Sequence, residues 1–369
     1  LEDEGMHFIS TKTEVLRAIN IVTKATSKLQ KTILECVLFQ CTSSGITLRA
    51  TDISISIKST LMAEVLKEGE VAIPARFLYE IISKFPESDV SFNMLTENTV
   101  EISCVNSKVC IQSMNAAEFP AFPQIKATSS VKVQEKVLRD MINQTIFSAA
   151  VSEDKPILTG VMFNIAKDNL EVVALDGYRM AVRNQPVISE MEASCVVPAR
   201  TAREVARIIE DTEKTVKITI SGNMALFETD GTEIYTRLLE GEYIKYKNLL
   251  PKNHKTEIVV EKEMMKDSIE RASVLAREGS NNLVKLEIRD NVLNISSNSE
   301  IGNIDENIPV VQTGDNLMIA FNAKYVSDVL RSIEDKEIKL EFNTPISPCL
   351  IVKPGSEEYH YLILPVQVR

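Results

Sequence analysis

"CVVPARTAREVARII", residues 195–209, contains a change of backbone state. Cys195, Val196 and Val197 make a short β-favouring run, and Pro198 has no N–H to continue a sheet ladder. An amphipathic helical pattern follows, with Arg200, Arg203 and Arg207 in one stripe at i, i+3, i+7. The same pattern occurs twice more, as "VAIPARFLYEIISKF" (71–85) and "LMIAFNAKYVSDVLRSI" (317–333). Pro74, Pro198 and Asn322 are each 124 residues apart, and so are Arg76, Arg200 and Lys324, and Glu80, Glu204 and Asp328. A β run succeeds every helix: "DVSFNM", "TVKITIS" and "EIKLEF".

The repeat extends upstream. Helical patterns "KTEVLRAINIVTKAT", "EKVLRDMINQTIFSAA" and "EKEMMKDSIERASVLARE" open three units, each followed by turn-linked strands: "ITLRATDISISI", "LEVVALDGYRMAV" and "LNISSNSEIGNI". The chain therefore reads as α+β, three copies of one module at 6–126, 127–252 and 253–369. Each has two helices and about eight short antiparallel strands, with proline-bearing polar linkers between modules. The five residues before Met6, "LEDEG", read as an appended leader and are left out of the fold argument.

Composition narrows the function. No two of the twelve glycines lie closer than nine residues, which excludes the glycine-rich loops that cradle phosphates. Six cysteines without a Cys-x-x-Cys pair, and three histidines without ligand spacing, suggest buried reduced thiols, no metal and no cofactor. Asp52 and Asp176 occupy equivalent turn positions, where the expected task of a carboxylate is to bond its own turn. A metal-dependent DNA-processing enzyme built on those two acids finds no catalytic constellation to support it. No apolar stretch approaches the ~20 residues of a membrane span, and no signal peptide opens the chain, so a cytoplasmic location is expected. The net charge of −11 argues against gripping nucleic acid through the overall field, but not against a basic face.

Basic residues recur in register on the second helices (Arg76; Arg200, Arg203, Arg207; Lys324, Arg331). The first helices add Lys12, Arg17, Lys24, Lys136, Arg139, Lys262, Lys266 and Arg271. They are either solvated faces paired with acids at i+4 or a periodic surface for a shared partner. If helices line a ring at ~10 Å spacing, six leave a hole of ~9 Å after subtracting their thickness, whereas twelve leave ~28 Å. One chain cannot encircle a duplex; two can. A repeat scaffold that binds peptides without DNA is the alternative.

With "DGYRMA" (176–181), "FNAKYVSDVL" (321–330), "NTPISP" (343–348) and the terminal "YLILPVQVR", this organisation resembles the bacterial replicative sliding clamp, the beta subunit of DNA polymerase III. The resemblance implies a head-to-tail dimer closing a six-module ring with helices inside. Such a ring encircles duplex DNA without sequence preference and tethers polymerases, a clamp loader and other clients through short linear peptides, without catalysis. The implied peptide pocket has a deep part (Leu158, Leu175, Gly177, Tyr178, Arg179, Met180, Ile244, Leu249, Leu362, Leu364) and a groove (Asn322, Tyr325, Ile346, Pro365, Val366, Gln367). Arg179 and Asn322 would meet peptide carbonyls, and the two tyrosines would close over the peptide. Leu175 and Tyr178 stand where the family commonly has threonine and histidine, and the terminus departs from the usual Pro-x-Arg-Leu. The resemblance also implies DNA contacts at Lys28 and Ser152, and a dimer interface joining Val109 on one module edge to Val274 and Leu275 on another.

Overall fold

The computed structural model describes residues 5–26, 32–125, 130–152, 154–189, 192–279 and 282–367. Six α-helices occur among them, at the places the repeat assigns: α1 Lys12–Val22, α2 Ala75–Lys84, α3 Glu135–Asn143, α4 Ala199–Ile208, α5 Lys262–Ala276 and α6 Ala323–Ser332. Every second helix follows directly on a strand ending at the repeated position: Gly69–Pro74, Ala193–Pro198 and Leu317–Asn322. Proline ends the ladder in the first two modules. In the third, the Asn322 side chain accepts from the Lys324 N–H at 3.0 Å and caps α6.

The chain divides into two compact units that do not coincide with the three repeats: residues 1–135 with 207–238, and residues 136–206 with 239–369. In the first, a five-stranded and an eight-stranded antiparallel sheet each contain first-module strands. The eight-stranded sheet runs across the module junction, because Thr232–Arg237 of the second module pairs with Ile55–Leu61 of the first. A cross-strand ion pair, Lys58 to Glu233 at 2.8 Å, sits on that seam. The two sheets share aromatic packing, Phe8 and Phe92 of one lying 6.0 and 5.5 Å from Phe39 of the other between ring centroids. Val15, Ala18, Ile19 and Val22 give α1 its buried face.

The second unit repeats the device. A nine-stranded sheet crosses from second to third module where Arg179–Pro186 pairs with Tyr359–Ile363, and a four-stranded sheet completes the third module. Its core gathers Met265 and Ile269 of α5, Val326 and Leu330 of α6, and Phe321 and Tyr361 from strands. No helix among the described residues is long and apolar enough to cross a membrane.

Five cysteines are buried as expected, but Cys110 is exposed. It lies on Ser107–Gln112, an edge strand of the five-stranded sheet, where residues alternate between core and water.

Candidate functional site: an apolar docking surface beside the Asp-Gly turn

The strands Asn169–Leu175 and Arg179–Pro186 are joined by the turn Asp176-Gly177-Tyr178. Asp176 organises it: Oδ1 accepts from the N–H groups of Tyr178 (2.9 Å) and Arg179 (3.0 Å). Asp52 does the same for its own turn, accepting from the N–H groups of Ser54 (3.0 Å) and Ile55 (2.9 Å). Both carboxylates are thus committed to turn geometry, as the repeat suggested. Gly177 has φ +93°, and a Cβ there would meet no atom within 4 Å. Glycine is required by the backbone, and the space beside it is open.

Tyr178 projects from this turn, 62% exposed. Its ring stacks on Tyr325 of α6 with centroids 6.3 Å apart. Beneath them Arg179 is only 8% exposed, and each of its three nitrogens makes an internal hydrogen bond. Nε bonds Asp176 at 3.1 Å, one terminal nitrogen bonds Asp328 of α6 at 2.6 Å, and the other bonds the Phe147 carbonyl at 2.7 Å. The guanidinium also lies 4.6 Å from the Tyr325 ring centroid. Burial, with the nearby Asp176 carboxylate next, raises the Tyr325 phenol above its ordinary pKa. Arg179 thus ties together the turn, α6 and the Phe147 segment through one bond at each of its three nitrogens. Asn322 spends its side-chain oxygen on the α6 cap, and its amide NH2 is the group that would meet a carbonyl.

Leu158, Leu175, Met180 and Leu362 are buried in one apolar cluster with Val173 and Tyr246, against which Ile244 packs half-buried. They are the floor of the surface rather than an open hole. The exposed apolar rim is Leu249, Leu364 and Ile346, the last 69% exposed. The chain's final described segment runs along this rim. Leu364 N–H donates to the Tyr178 carbonyl at 2.9 Å, and Val366 N–H donates to Ala320 at 2.8 Å. Beyond Pro365, a cleft of about 850 Å³ opens, lined by Met318, Asn343, Ile346, Val366 and Gln367, with Lys255 and Lys285 at its margin. Pocket and groove residues thus fall on one face of one unit. Sequence reading did not reveal Asp328 and Phe147, which complete the Arg179 network from 149 and 32 residues away.

The basic stripes divide. Arg200, Arg203 and Arg207 are exposed along α4, and Lys324 is exposed on α6. Arg76 pairs with Glu80 (3.1 Å), Arg139 with Asp140 (3.7 Å), Arg331 with Glu270 (2.9 Å), and Lys266 with Glu263. Lys136 is exposed at the start of α3, and exposed Ser152 donates to Asp154 at 2.6 Å. Lys12 and Lys262 leave the open faces: both are buried at helix starts, paired with Glu87 and Glu263. Lys28 lies outside the described residues.

Val109 is half-buried on an edge strand. Val274 and Leu275 sit near the end of α5, in the helical pattern that the sequence gives, with Val274 63% exposed. The edges of the four-stranded sheet are Gly302–Pro309 and Leu317–Asn322. Sequence spacing also missed His254, which lies within 3.1 Å of Glu257 and 3.5 Å of Glu341. The Lys339 ammonium already sits on those two carboxylates, at 3.7 and 2.6 Å.

The fold is the three-domain sliding-clamp fold of mixed helices and antiparallel sheets. Models of the N-terminal, central and C-terminal domains of the DNA polymerase III beta subunit match residues 6–123, 132–245 and 247–367. The beta sliding clamp of Bacillus subtilis (strain 168) is 32% identical over 376 residues, covering 98% of this chain and 100% of that one. That of Staphylococcus aureus (strain Mu50) is 30% identical over 373 residues, covering 98% and 97%. Among solved structures, the B. subtilis DNA polymerase sliding clamp superposes with a TM-score of 0.95 at 31% identity, covering 99% of this chain and 100% of that one. The Thermotoga maritima DNA polymerase III beta subunit gives 0.93 at 29% identity, covering 99% and 100%. The chain belongs to the DNA polymerase III beta subunit family.

Proposed function

We propose that this chain is a DNA sliding clamp: two copies close head to tail around duplex DNA, helices inward, and tether the replicative polymerase and other replication and repair proteins. The observation that carries this reading is the match over 98% of the chain to a beta sliding clamp of the same length class. The three modules of the ring are 6–126, 127–252 and 253–369. The work is non-catalytic and needs no cofactor, and its setting is the cytoplasm.

The charge distribution supports the mechanism. A protein of net charge −11 stays on a polyanion by topology rather than by attraction. Its inward cations (Arg76, Lys136, Arg139, Arg200, Arg203, Arg207, Lys266, Lys324, Arg331, with Lys28 and Ser152) need only soften repulsion. Several already share their charge with a neighbouring acid. Weak, exchangeable phosphate contacts permit sliding and weaken further with salt. Closure joins the Val109 edge of one copy to the Val274–Leu275 helix of the other, each contact occurring twice.

Clients dock on the face described above. A leucine or phenylalanine of the peptide settles on the floor of Leu158, Leu175, Met180 and Leu362, flanked by Ile244, Leu249 and Leu364. Its continuation runs over Tyr178, Gly177 and Tyr325 toward Asn322, Ile346, Pro365, Val366 and Gln367. Covering ~300 Å² of apolar surface contributes ~7–8 kcal/mol before ordering costs, so a minimal peptide binds in the micromolar range or weaker. Such affinity suits a platform shared by many partners.

The test is retention on DNA after loading by a cognate ATP-driven loader. Survival of a salt wash on circular DNA, with release once the circle is cut, is the expected result. Retention indifferent to free ends, under demonstrably competent loading, refutes encirclement and leaves a peptide-binding scaffold.

A further inference from the structure

We infer that the cleft beyond Pro365 is a further seat for client proteins, built to take an acidic residue beside an aromatic one. That its occupant is a client rests on the docking reading above. Ala72, Val196 and Ala320 are equivalent positions of the repeat, two residues before Pro74, Pro198 and Asn322. Each carbonyl accepts from a returning segment of its own module: from the N–H of Met114 (2.8 Å), of Leu239 (2.9 Å) and of Val366 (2.8 Å). In the first two modules that segment goes on to cover the sheet. Met114, Ala116 and Phe119 pack on the cluster of Cys36, Leu38 and Ala72. Leu239, Tyr243 and Ile244 pack on the cluster that holds Met162 and Val196. Both covers carry the same pair, Glu118-Phe119 and Glu242-Tyr243, with the acid exposed and the aromatic half-buried.

The equivalent face of the third module is open. Directly across the sheet from Ala72, Val196 and Ala320 stand Leu38, Met162 and Lys285. Leu38 and Met162 are buried, whereas Lys285 is exposed. Two residues back along the strand, Glu70 and Ser194 are matched by Met318, which is 57% exposed. The third module thus places an apolar side chain in water where its two counterparts are polar. Met318 and the exposed Ile346 give the cleft of about 850 Å³ a deformable apolar wall. Its charged residues are Lys255, Lys285 and Asp315, and neither lysine makes an ion pair among the described residues. On a chain of net charge −11 this is a local excess of positive charge.

The seat therefore matches the pair that the two covers display. An aromatic ring lies against Met318 and Ile346, as Phe119 and Tyr243 lie on their own clusters, and the adjoining carboxylate reaches Lys285 or Lys255. The cleft meets the docking groove at Ile346, Val366 and Gln367, so a segment continuous with a docked peptide enters it directly.

The test uses the full chain and fluorescein-labelled synthetic peptides, read by anisotropy. One peptide carries only a leucine–phenylalanine anchor for the docking floor. Two others add a short extension containing Glu-Phe, at one end or the other, and matched controls carry Gln-Ala in its place. One of the Glu-Phe peptides is expected to bind the native chain about three- to tenfold tighter than the anchor alone, and the controls no tighter. Lys285→Glu and Met318→Asp alter exposed positions, and each is expected to remove that gain while leaving anchor binding unchanged. The gain should also shrink in KCl, because its ionic part is exposed. A gain that survives both variants, or no gain from either extension, overturns the seat while anchor binding keeps the docking reading intact. If the anchor peptide itself fails to bind, the docking reading falls and takes the client assignment with it. Hydrogen exchange at residues 316–320 scores the rival occupant. Protection that appears only with the extended peptide supports the seat, and protection that grows with chain concentration alone gives the face to a second copy and overturns it.

Discussion

Replacing Arg179 with methionine removes the fork that joins the Asp-Gly turn to α6 while leaving a side chain of similar length. The change strands two carboxylates and the Phe147 carbonyl at once. Breaking a buried charge pair typically costs ~3–5 kcal/mol, because the partner remains buried and uncompensated. Here a discount applies. Asp176 and Asp328 retain side-chain exposures of 15% and 22%, and Asp176 keeps its two backbone donors. The expected loss is ~2–3 kcal/mol for Arg179→Met, and ~1–2 kcal/mol for Arg179→Lys, which keeps the charge but cannot reach in three directions. Because the chain forms two compact units, a single urea transition is not assumed. Hydrogen exchange read at residues 176–180 and in α6 reports the local opening free energy directly. The same variant should loosen the Tyr178–Tyr325 stack and weaken client-peptide binding. Arg179→Met within ~0.5 kcal/mol of the native chain at both segments would refute the reasoning. It would mean that the aromatic packing alone holds the turn.

Gly177→Ala should cost ~1–2 kcal/mol in urea unfolding of the second unit, wholly from the left-handed backbone, since the added methyl meets nothing. An unchanged midpoint would show that the turn relaxes to a negative φ. Alkylation of the native chain at pH 8 should add one label per molecule, at Cys110, read by mass spectrometry. The other five thiols are buried, and burial first, with nearby Glu35 and Glu68 next, pushes Cys36 and Cys41 up to about 11, while burial pushes Cys195 up to about 12. Labelling of several sites would contradict the packing. At the seam between the first two modules, partial burial raises the Glu233 pKa, but hydrogen bonds from Lys58 and Tyr235 outweigh it and hold the carboxyl below its ordinary value. Its folded pKa is depressed, so its contribution is present above the unfolded pKa of ~4.3 and fades as pH falls through the folded one. The urea-midpoint gap between native chain and Glu233→Gln should therefore be constant near neutrality and close below about pH 4. A gap independent of pH would assign the loss to packing instead.

The docking face shows how far local reading reaches. Gly177 and Asp176 were legible because a tight turn has a local chemistry: one residue supplies φ, the next supplies the acceptor. The apolar floor was named through family resemblance, and its cohesion as one cluster appeared only in the structure. Arg179 illustrates the limit. As a sequence letter beside an exposed tyrosine it looks like a binding group, and only the structure shows its bonds to Asp328 and Phe147. The lysines at helix starts, Lys12 and Lys262, continue a basic pattern on paper but fold back onto acids.

What the sequence determined by itself is the module: the 124-residue period, the strand–proline–helix stops and the count of six helices, because each depends on periodicity and backbone chemistry within a few residues. What only the tertiary structure decided is how modules are joined. Strand Thr232–Arg237 completes a sheet begun in the first repeat, and Tyr359–Ile363 completes one begun in the second. An edge strand carries no local mark of its partner, since its N–H and C=O groups pair with any strand that arrives in register. The compact units of this protein therefore cut through the second repeat, whose boundaries the period alone had drawn.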